Sequence, residues 1–304
     1  MSIAQATARR RPAVAGVLLL TTLALAWGIA WPTSKIVLDE MPVLAFRTTC
    51  VVAGGGAALL MALVAGERLR LPRQEIGPLL LVSLLNVTGW QIAMAYGLSL
   101  LPAGHASIIA YIMPACATFF GWIFLRERMT APRLWGLALS MAGLAVLVAP
   151  TLDRVLAAPT GVLMMILAAM SWAAGTVGMK YFRWSLSAMQ STGWQFVIGG
   201  IPIVLAAALT GTEPHLGALS TRAMVSLVYI LVFPVVIAQW AWFRAVELLP
   251  GSISAMGTLA IPVVGTLSGA LLLGEKLELS ELAALGLVVA GLALVALRPA
   301  AEPS

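Results

Sequence analysis

The 304-residue chain is 61% hydrophobic and only 10% charged, and its mean hydropathy is +0.99. This composition excludes a soluble globular domain, because apolar runs of about twenty residues have the length of membrane-spanning helices. The net charge of +6 comes from 18 Lys and Arg against 12 Asp and Glu. In a membrane protein the placement of basic residues matters more than their sum, so nucleic-acid binding is not implied.

The chain begins with residues 1–13, which carry three consecutive arginines and precede a long apolar run. A secretory signal peptide is one alternative, because the run contains a hydrophobic stretch followed by small residues. Against it, Trp27 and Lys35 of this run recur 145 residues later as Trp172 and Lys180. The run therefore belongs to an internal repeat and predicts the first membrane span.

Nine further apolar runs follow, and only short links separate them. They predict membrane helices near residues 43–65, 76–98, 102–125, 133–149, 160–181, 187–209, 223–247, 250–273 and 280–297. The links leave no room for a soluble domain. The predicted fold class is an all-α integral membrane protein with ten transmembrane helices.

The second half of the chain repeats the first. Segment 101–128 returns as segment 249–276, 148 residues later. The matched pairs are Pro102 with Pro250, Pro114 with Pro262, Glu127 with Glu275, and Gly143 with Gly291. We expect a first repeat at 14–150 and a second at 151–297, with short cytoplasmic tails at 1–13 and 298–304. Each repeat holds five spans, an odd number, so the two copies are predicted to be inverted about an axis in the membrane plane.

The basic residues predict the orientation of the chain. With a cytoplasmic N-terminus, five of the 18 Lys and Arg lie on the opposite side, which leaves thirteen on cytoplasmic segments. Those five are Lys35, Arg47, Arg154, Arg222 and Lys276. The excess of positive charge predicts that both termini lie in the cytoplasm.

Residues for catalysis or metal binding are not gathered in this sequence. The two histidines, His105 and His215, are 110 residues apart, and neither an HExxH nor a GxSxG arrangement occurs. We interpret His105 as an interfacial polar residue, and Cys50 and Cys116 as small side chains within apolar runs. No metal site and no cofactor is predicted.

Aromatic residues in spans one and six favour a binding cavity. Trp27, Trp31 and Lys35 fall at i, i+4 and i+8 on one helical face, and Trp172 and Lys180 repeat this spacing. Trp27 lies thirteen residues into its span, too deep for the interfacial belt, so we expect it to line a cavity. Lys35 and Lys180 lie nearer the helix ends. There each lysine either extends its side chain to the membrane interface or has a functional role, and both interpretations stay open.

Polar groups in spans three, four and eight add further candidates. Gln91 and Gln239 are 148 residues apart. Gln91 lies beside Trp90, and Gln239 lies three residues before Trp242. A buried amide needs a partner, so each glutamine either joins two helices or lines the pathway. Tyr111 would present a hydroxyl near the middle of span four.

Pro114 and Pro262 lie within predicted spans, each twelve residues after a proline at the start of the helix. A proline inside a helix frees a carbonyl and bends the axis. Twelve residues correspond to about 18 Å, near the middle of the bilayer core. The bend predicts a substrate pathway at the midplane, and a packing kink is the alternative.

The chain resembles the drug/metabolite transporter superfamily, in its ten-helix branch built from two EamA-type repeats. The resemblance rests on the motif Ala26–Gly28 with Lys35, on residues 125–128 (LRER) at the end of span four, and on their second copy at residues 273–276 (LGEK). The tryptophan-rich spans look most like the aromatic amino acid exporters of the YddG type. The resemblance implies a bacterial inner-membrane exporter that works by alternating access.

We therefore expect a carrier that exports amino acids, chiefly aromatic ones, and related small metabolites. Facilitated diffusion or exchange is favoured, because all 12 acidic residues lie in links or near helix ends. The alternatives are a broad drug or quaternary-amine efflux transporter and, in another class, a membrane-embedded lipid-modifying enzyme. The expected partners are a small-molecule substrate and the lipid bilayer, without nucleic acid or an obligatory protein partner.

Overall fold

A computed structural model of the chain describes residues 3–126, 131–149, 159–238, 241–242 and 260–297. Within these residues the regular elements are helical and none is a strand. The helices are α1 (Ile3–Glu40), α2 (Val43–Val64), α3 (Arg73–Leu100), α4 (Ala103–Phe124), α5 (Ala131–Val148), α6 (Pro159–Tyr181), α7 (Ala188–Leu209), α8 (Thr221–Ile237), α9 (Ala260–Leu273) and α10 (Leu279–Leu297). The predicted all-α fold class is confirmed.

Five of these helices are long and apolar enough to cross a membrane, namely α2, α3, α4, α6 and α7. The other apolar segments within α5, α8, α9 and α10 are shorter in the described part of the chain. The outer surface of the bundle carries large exposed hydrophobic side chains, among them Val64 in α2, Leu209 in α7 and Leu271 in α9. Lipid would cover such a surface, because water is absent from the hydrocarbon core.

Helix contacts follow the two-fold relation predicted from the sequence. The pairs α2–α7 and α5–α10 each join a helix to its counterpart in the other repeat. The pairs α1–α9 and α6–α4 are exchanged by the same operation, as are α1–α8 and α6–α3. The five-helix groups α1–α5 and α6–α10 are therefore related as two copies of one unit.

The two copies are inverted in the bundle. The last residue of α1, Glu40, bonds to Ser220 at the start of α8, whereas Ser185, after the end of α6, bonds to Glu75 in the first turn of α3. We name the end of the bundle that holds Lys35 and the α1–α2 and α3–α4 links the Lys35 face. The opposite end, with Lys180 and the α2–α3 and α6–α7 links, is the Lys180 face.

Helix α4 is interrupted near its middle, and the break lies three residues before the proline that was expected to cause a bend. The chain is α-helical over Ala103–Ala110 and Met113–Phe124, with a turn at residues 111–112. The Tyr111 backbone N–H is shared between the carbonyls of Ser107 and Ile108, both at 3.2 Å. Pro114 thus stands in the first turn of the second segment, where its missing N–H costs little.

Helices α3 and α8 each contain a π-helical segment, at Leu84–Gly89 and Phe233–Ile237. Residues 85–89 and 233–237 are 148 apart, so the segments occupy matching places in the two repeats. A π turn leaves backbone carbonyls without the ordinary α-helical partner, and such segments are frequent at functional sites.

The main core surrounds the first half of α4. Every residue from Ala106 to Met113 is buried, and α1, α3, α6, α9 and α10 supply the rest of the buried cluster. The α1–α9 crossing is close, because a side chain at Gly28 would overlap Val264. The glycine of the Ala26–Gly28 motif therefore permits this contact.

Candidate functional site

Six predicted aromatic residues converge on the core beside α4. We call them the aromatic cluster: Trp27, Trp31, Trp90, Tyr111, Trp172 and Trp242. Trp31 and Tyr111 are buried and the other four are partly buried. Residues from both repeats thus belong to, or pack against, one buried cluster.

Trp27 connects α1 to the second repeat in two ways. Its ring centroid lies 6.4 Å from that of Trp242, with the planes tilted by 41°. Its indole Nε1–H donates a hydrogen bond of 3.1 Å to the carbonyl oxygen of Pro234, in the π segment of α8. The indole therefore bonds directly to the π segment of α8.

Ser171 plays the matching part in the other half, since its hydroxyl donates to the Leu85 carbonyl in the π segment of α3 at 2.7 Å. Sequence reasoning missed both π segments and this use of Ser171. Pro234 was the available signal, because a proline inside a helical run leaves one carbonyl without a donor.

Gln91, a predicted site residue, accepts a hydrogen bond of 2.7 Å from Arg47 Nη1. Arg47 Nη2 approaches the sulfur of Met94 at 3.3 Å. Gln91 thus joins α3 to α2, one of the two roles that were open for it. Arg47 was expected on the aqueous side opposite the cytoplasm, but its side chain is 4% exposed within the bundle.

Gln239, the counterpart of Gln91, lies outside the described residues. A different amide pair joins α3 to α7, where Asn86 Nδ2 donates to Gln195 Oε1 at 3.0 Å. Gln195 in turn donates to Ser191 at 3.2 Å. These three side chains form a polar contact inside an apolar region, as expected for interhelical hydrogen bonds in membranes.

The two repeat-related lysines have different surroundings. Lys35 Nζ donates to the carbonyl oxygens of Leu98 at 2.9 Å and Ser99 at 2.8 Å, at the end of α3. An ammonium there satisfies terminal carbonyls and complements the negative end of the helix dipole. Lys180 is exposed at the end of α6, as a snorkelling lysine would be.

Pro262, the second predicted kink residue, is buried in α9. It is the third residue of the described part of that helix, which begins at Ala260. The turn that would show whether α9 is interrupted like α4 falls outside the described residues.

The carboxylate of Glu275, after α9, caps the start of α4. Its oxygens accept hydrogen bonds from the backbone N–H groups of Ala103 at 2.6 Å and Gly104 at 2.9 Å. In the same first turn of α4, His105 Nδ1 lies 2.8 Å from Glu281 Oε1. Negative charge at a helix N-terminus is favourable, so both acids tie the second repeat to α4 on the Lys35 face.

Two glutamate–serine contacts link the repeats, one on each face, and we call them latches. On the Lys35 face, Ser220 donates to Glu40 through its backbone N–H at 2.7 Å and its hydroxyl at 2.6 Å. On the Lys180 face, Ser185 donates to Glu75 with the same two groups. Glu40 and Ser185 are 145 residues apart, as are Glu75 and Ser220, so the latches are related by the repeat.

The latches differ in burial. Glu75 is 8% exposed, whereas Glu40 is exposed at the last residue of α1, beyond the apolar part of the helix. The hydroxyl and backbone hydrogen bonds from Ser220 hold the pKa of the Glu40 carboxyl below its ordinary value of 4.5.

Groups of three or more His, Cys, Asp or Glu side chains that could hold a metal ion do not occur among the described residues. Cys50 and Cys116 are free thiols.

Known proteins share both the sequence and the fold. "Uncharacterized transporter YvbV" of Bacillus subtilis is 32% identical over 94% of this chain and 93% of its own length. "Probable amino-acid metabolite efflux pump" proteins are each 27% identical, in Salmonella typhimurium over 88% of this chain and 89% of the relative, and in Escherichia coli over 91% and 93%. A solved crystal structure, 21% identical, matches 92% of this chain and 97% of its own with a TM-score of 0.65.

The EamA-like transporter family matches the chain twice, at residues 14–149 and 159–297. The two matches together cover both groups of five helices. The protein is thus a multi-span membrane transporter rather than an enzyme, and the chain belongs to the EamA-like transporter family.

Proposed function

We propose that this transporter exports aromatic amino acids and related small metabolites by alternating access. Its repeats, 14–150 and 151–297, would move against each other around a substrate held at the aromatic cluster. The observation that carries the proposal is the convergence of six aromatic side chains from both repeats beside the interrupted helix α4. Broken helices at the interface between repeats are typical of transporter binding sites.

Two relatives named as probable amino-acid metabolite efflux pumps support this substrate class. We further propose facilitated diffusion or exchange as the mode of transport. The acidic residues of the described chain lie in links or near helix ends, and the buried ones, Glu75 and Glu281, already have Ser185 and His105 as partners. A carboxylate that exchanges its proton for substrate would need to stand in the pathway.

We also propose that the protein resides in a bacterial inner membrane with both termini in the cytoplasm, so that the Lys35 face is external. Single cysteines at Ala218 and Arg70, introduced after Cys50 and Cys116 are replaced, test this orientation. An impermeant maleimide added to intact cells should label residue 218 and not residue 70. The reverse labelling would overturn the orientation without affecting the fold.

Counterflow in proteoliposomes tests the substrate class. Purified protein should exchange labelled phenylalanine faster than labelled alanine, and Trp172→Ala should lower the phenylalanine rate about tenfold, because a ring contact and its buried area are lost. Trp135→Ala is the matched control, since Trp135 is 65% exposed on the outer surface of α5. Equal loss of phenylalanine and alanine exchange in Trp172→Ala would contradict an aromatic binding surface and indicate damage to the fold.

A further inference from the structure

Arg47 is a buried cation without a charged partner in the part of the chain that the structure describes. Its side chain is 4% exposed in the fifth position of α2. Its hydrogen-bond partners are Gln91 and the thioether of Met94, and the guanidinium lies 4.4 Å from the ring centroid of Phe46. The Nε atom is buried and has no hydrogen-bond partner.

The nearest acids along the chain do not neutralise this charge. Asp39 and Glu40 are exposed at the end of α1, and Glu40 accepts both hydrogen bonds of its latch from Ser220. Among the residues that the structure describes, no carboxylate forms an ion pair with Arg47. A guanidinium stays protonated in proteins, and leaving it buried with neutral partners is costly.

The hydrogen-bond partners of the guanidinium, Gln91 and Met94, stand further from the Lys35 face along α3 than Arg47 stands along α2. Arg47 lies one turn into α2, whereas its partner Gln91 lies nine residues, about 13 Å, before the end of α3 on the same face. An arginine that merely snorkelled would direct its head toward the nearer interface. The inward direction costs more and calls for a compensating ligand.

Through Met94, the cation is connected to the core on which the aromatic cluster packs. Met94, in contact with Arg47 Nη2, packs against the same core as Trp90 and Trp27. The repeat offers no second such cation, because the residue 145 positions after Arg47 is Thr192. The candidate site therefore combines one cation, Arg47, with the aromatic cluster.

We propose that Arg47 binds the carboxylate of the substrate while the aromatic cluster holds its ring. This inference rests on the proposed function, because it assigns a residue to one end of the exported amino acid. The planar guanidinium presents paired N–H donors that match a carboxylate, and the partnerless Nε edge is available for such a pair. Gln91 positions the guanidinium through its hydrogen bond to Nη1.

Pairs of ligands that differ in one charge test the assignment. Purified protein is assayed for thermal stabilisation and for inhibition of counterflow by phenylalanine against phenylalaninamide, and by phenylacetate against phenylacetamide. We expect the wild type to prefer each acid over its amide by about ten- to a hundredfold, the range of a charge-assisted hydrogen-bonded pair. Arg47→Gln should abolish this preference by weakening the acids and leaving the amides unchanged.

Arg70→Gln is the matched control, since Arg70 is exposed in the α2–α3 link, and it should keep the preference for acids. Arg47→Lys retains the charge without the paired N–H donors of the guanidinium, so its preference for acids over amides should be reduced at least about threefold. This variant tests the proposal if Arg47→Gln fails to fold. Equal weakening of acids and amides in either variant, or a wild type without preference, overturns the proposal.

The two ligand pairs separate this inference from the proposed function. If phenylacetate stabilises the protein through Arg47 but no amino acid is exchanged, the anion site stands and amino acid export fails. If phenylalanine is exchanged without a preference over its amide, export stands and the role of Arg47 fails.

Discussion

The Lys35 face and the Lys180 face are built from equivalent helices, yet their polar contacts differ. On the first, Lys35 caps the end of α3 and Glu275 caps the start of α4. On the second, Lys180 is exposed, and the residues that the repeat places opposite it, 246 and 247, lie outside the described chain. The latches differ in the opposite sense, because the latch on the Lys180 face is the more buried of the two.

The comparison teaches that sequence symmetry need not produce the same contact in both halves of one conformation. Alternating access predicts that the two lysine caps are formed in turn, while the latches hold the halves together throughout. The predictions below therefore compare matched variants on the two faces.

The largest difference is expected between the lysines. Lys35→Met removes a charged donor from two carbonyls and should lower the free energy of unfolding by about 2 to 3 kcal/mol, whereas Lys180→Met should stay within about 0.5 kcal/mol. Equilibrium unfolding in mixed micelles with increasing dodecyl sulfate measures both. Equal losses would show that Lys180 has a partner of similar strength.

The Glu275 cap is next in size. Glu275→Ala leaves the backbone N–H groups of Ala103 and Gly104 without their acceptor and should cost about 2 kcal/mol in the same assay. Lys276→Ala, at the exposed neighbouring position, is the control and should change little. A neutral Glu275→Ala variant would mean that water replaces the cap.

The latches should differ in the opposite sense. Ser185→Ala removes the partner of a buried carboxylate, Glu75, and should cost about 1 to 2 kcal/mol. Ser220→Ala should have the smaller effect, because water can solvate the exposed Glu40. Finding the larger loss in Ser220→Ala would reverse our ranking of the two faces.

The smallest expected effect is the pH dependence of the exposed latch. Hydrogen bonds from Ser220 hold the pKa of Glu40 below 4.5, so its contribution is fully present above about pH 4.5 and is lost as pH falls through the lowered pKa. Acid titration of unfolding midpoints should therefore show a small drop in the wild type that is absent in Glu40→Gln. The same drop in both proteins would assign it to other carboxyls.

The sequence predicted the ten spans, the inverted repeat and the set of aromatic residues that converge. Each follows from a feature that is local or periodic: apolar run length, the 148-residue shift and the spacing of Trp27 and Trp31 on one helical face. Such features depend little on how the helices are tilted.

The rest depends on contacts between distant parts of the chain. The two π segments change the local phase of α3 and α8, and only the segment in α8 carried a sequence signal, the proline at position 234. Arg47 was counted as an aqueous residue because it lies near a helix end, where direction decides burial. The proline rule placed the bend of α4 at Pro114, but the break at residues 111–112 came earlier because the backbone tightened ahead of the missing N–H.

The latches also decide which halves can associate. Both acids, Glu40 and Glu75, belong to the first repeat, and both serines, Ser185 and Ser220, belong to the second. Two first repeats placed in this arrangement would set glutamate against glutamate at each end, and two second repeats would set serine against serine. Like charges placed opposite each other disfavour the first assembly. The two carboxylates therefore favour pairing of a first repeat with a second repeat over pairing of two first repeats.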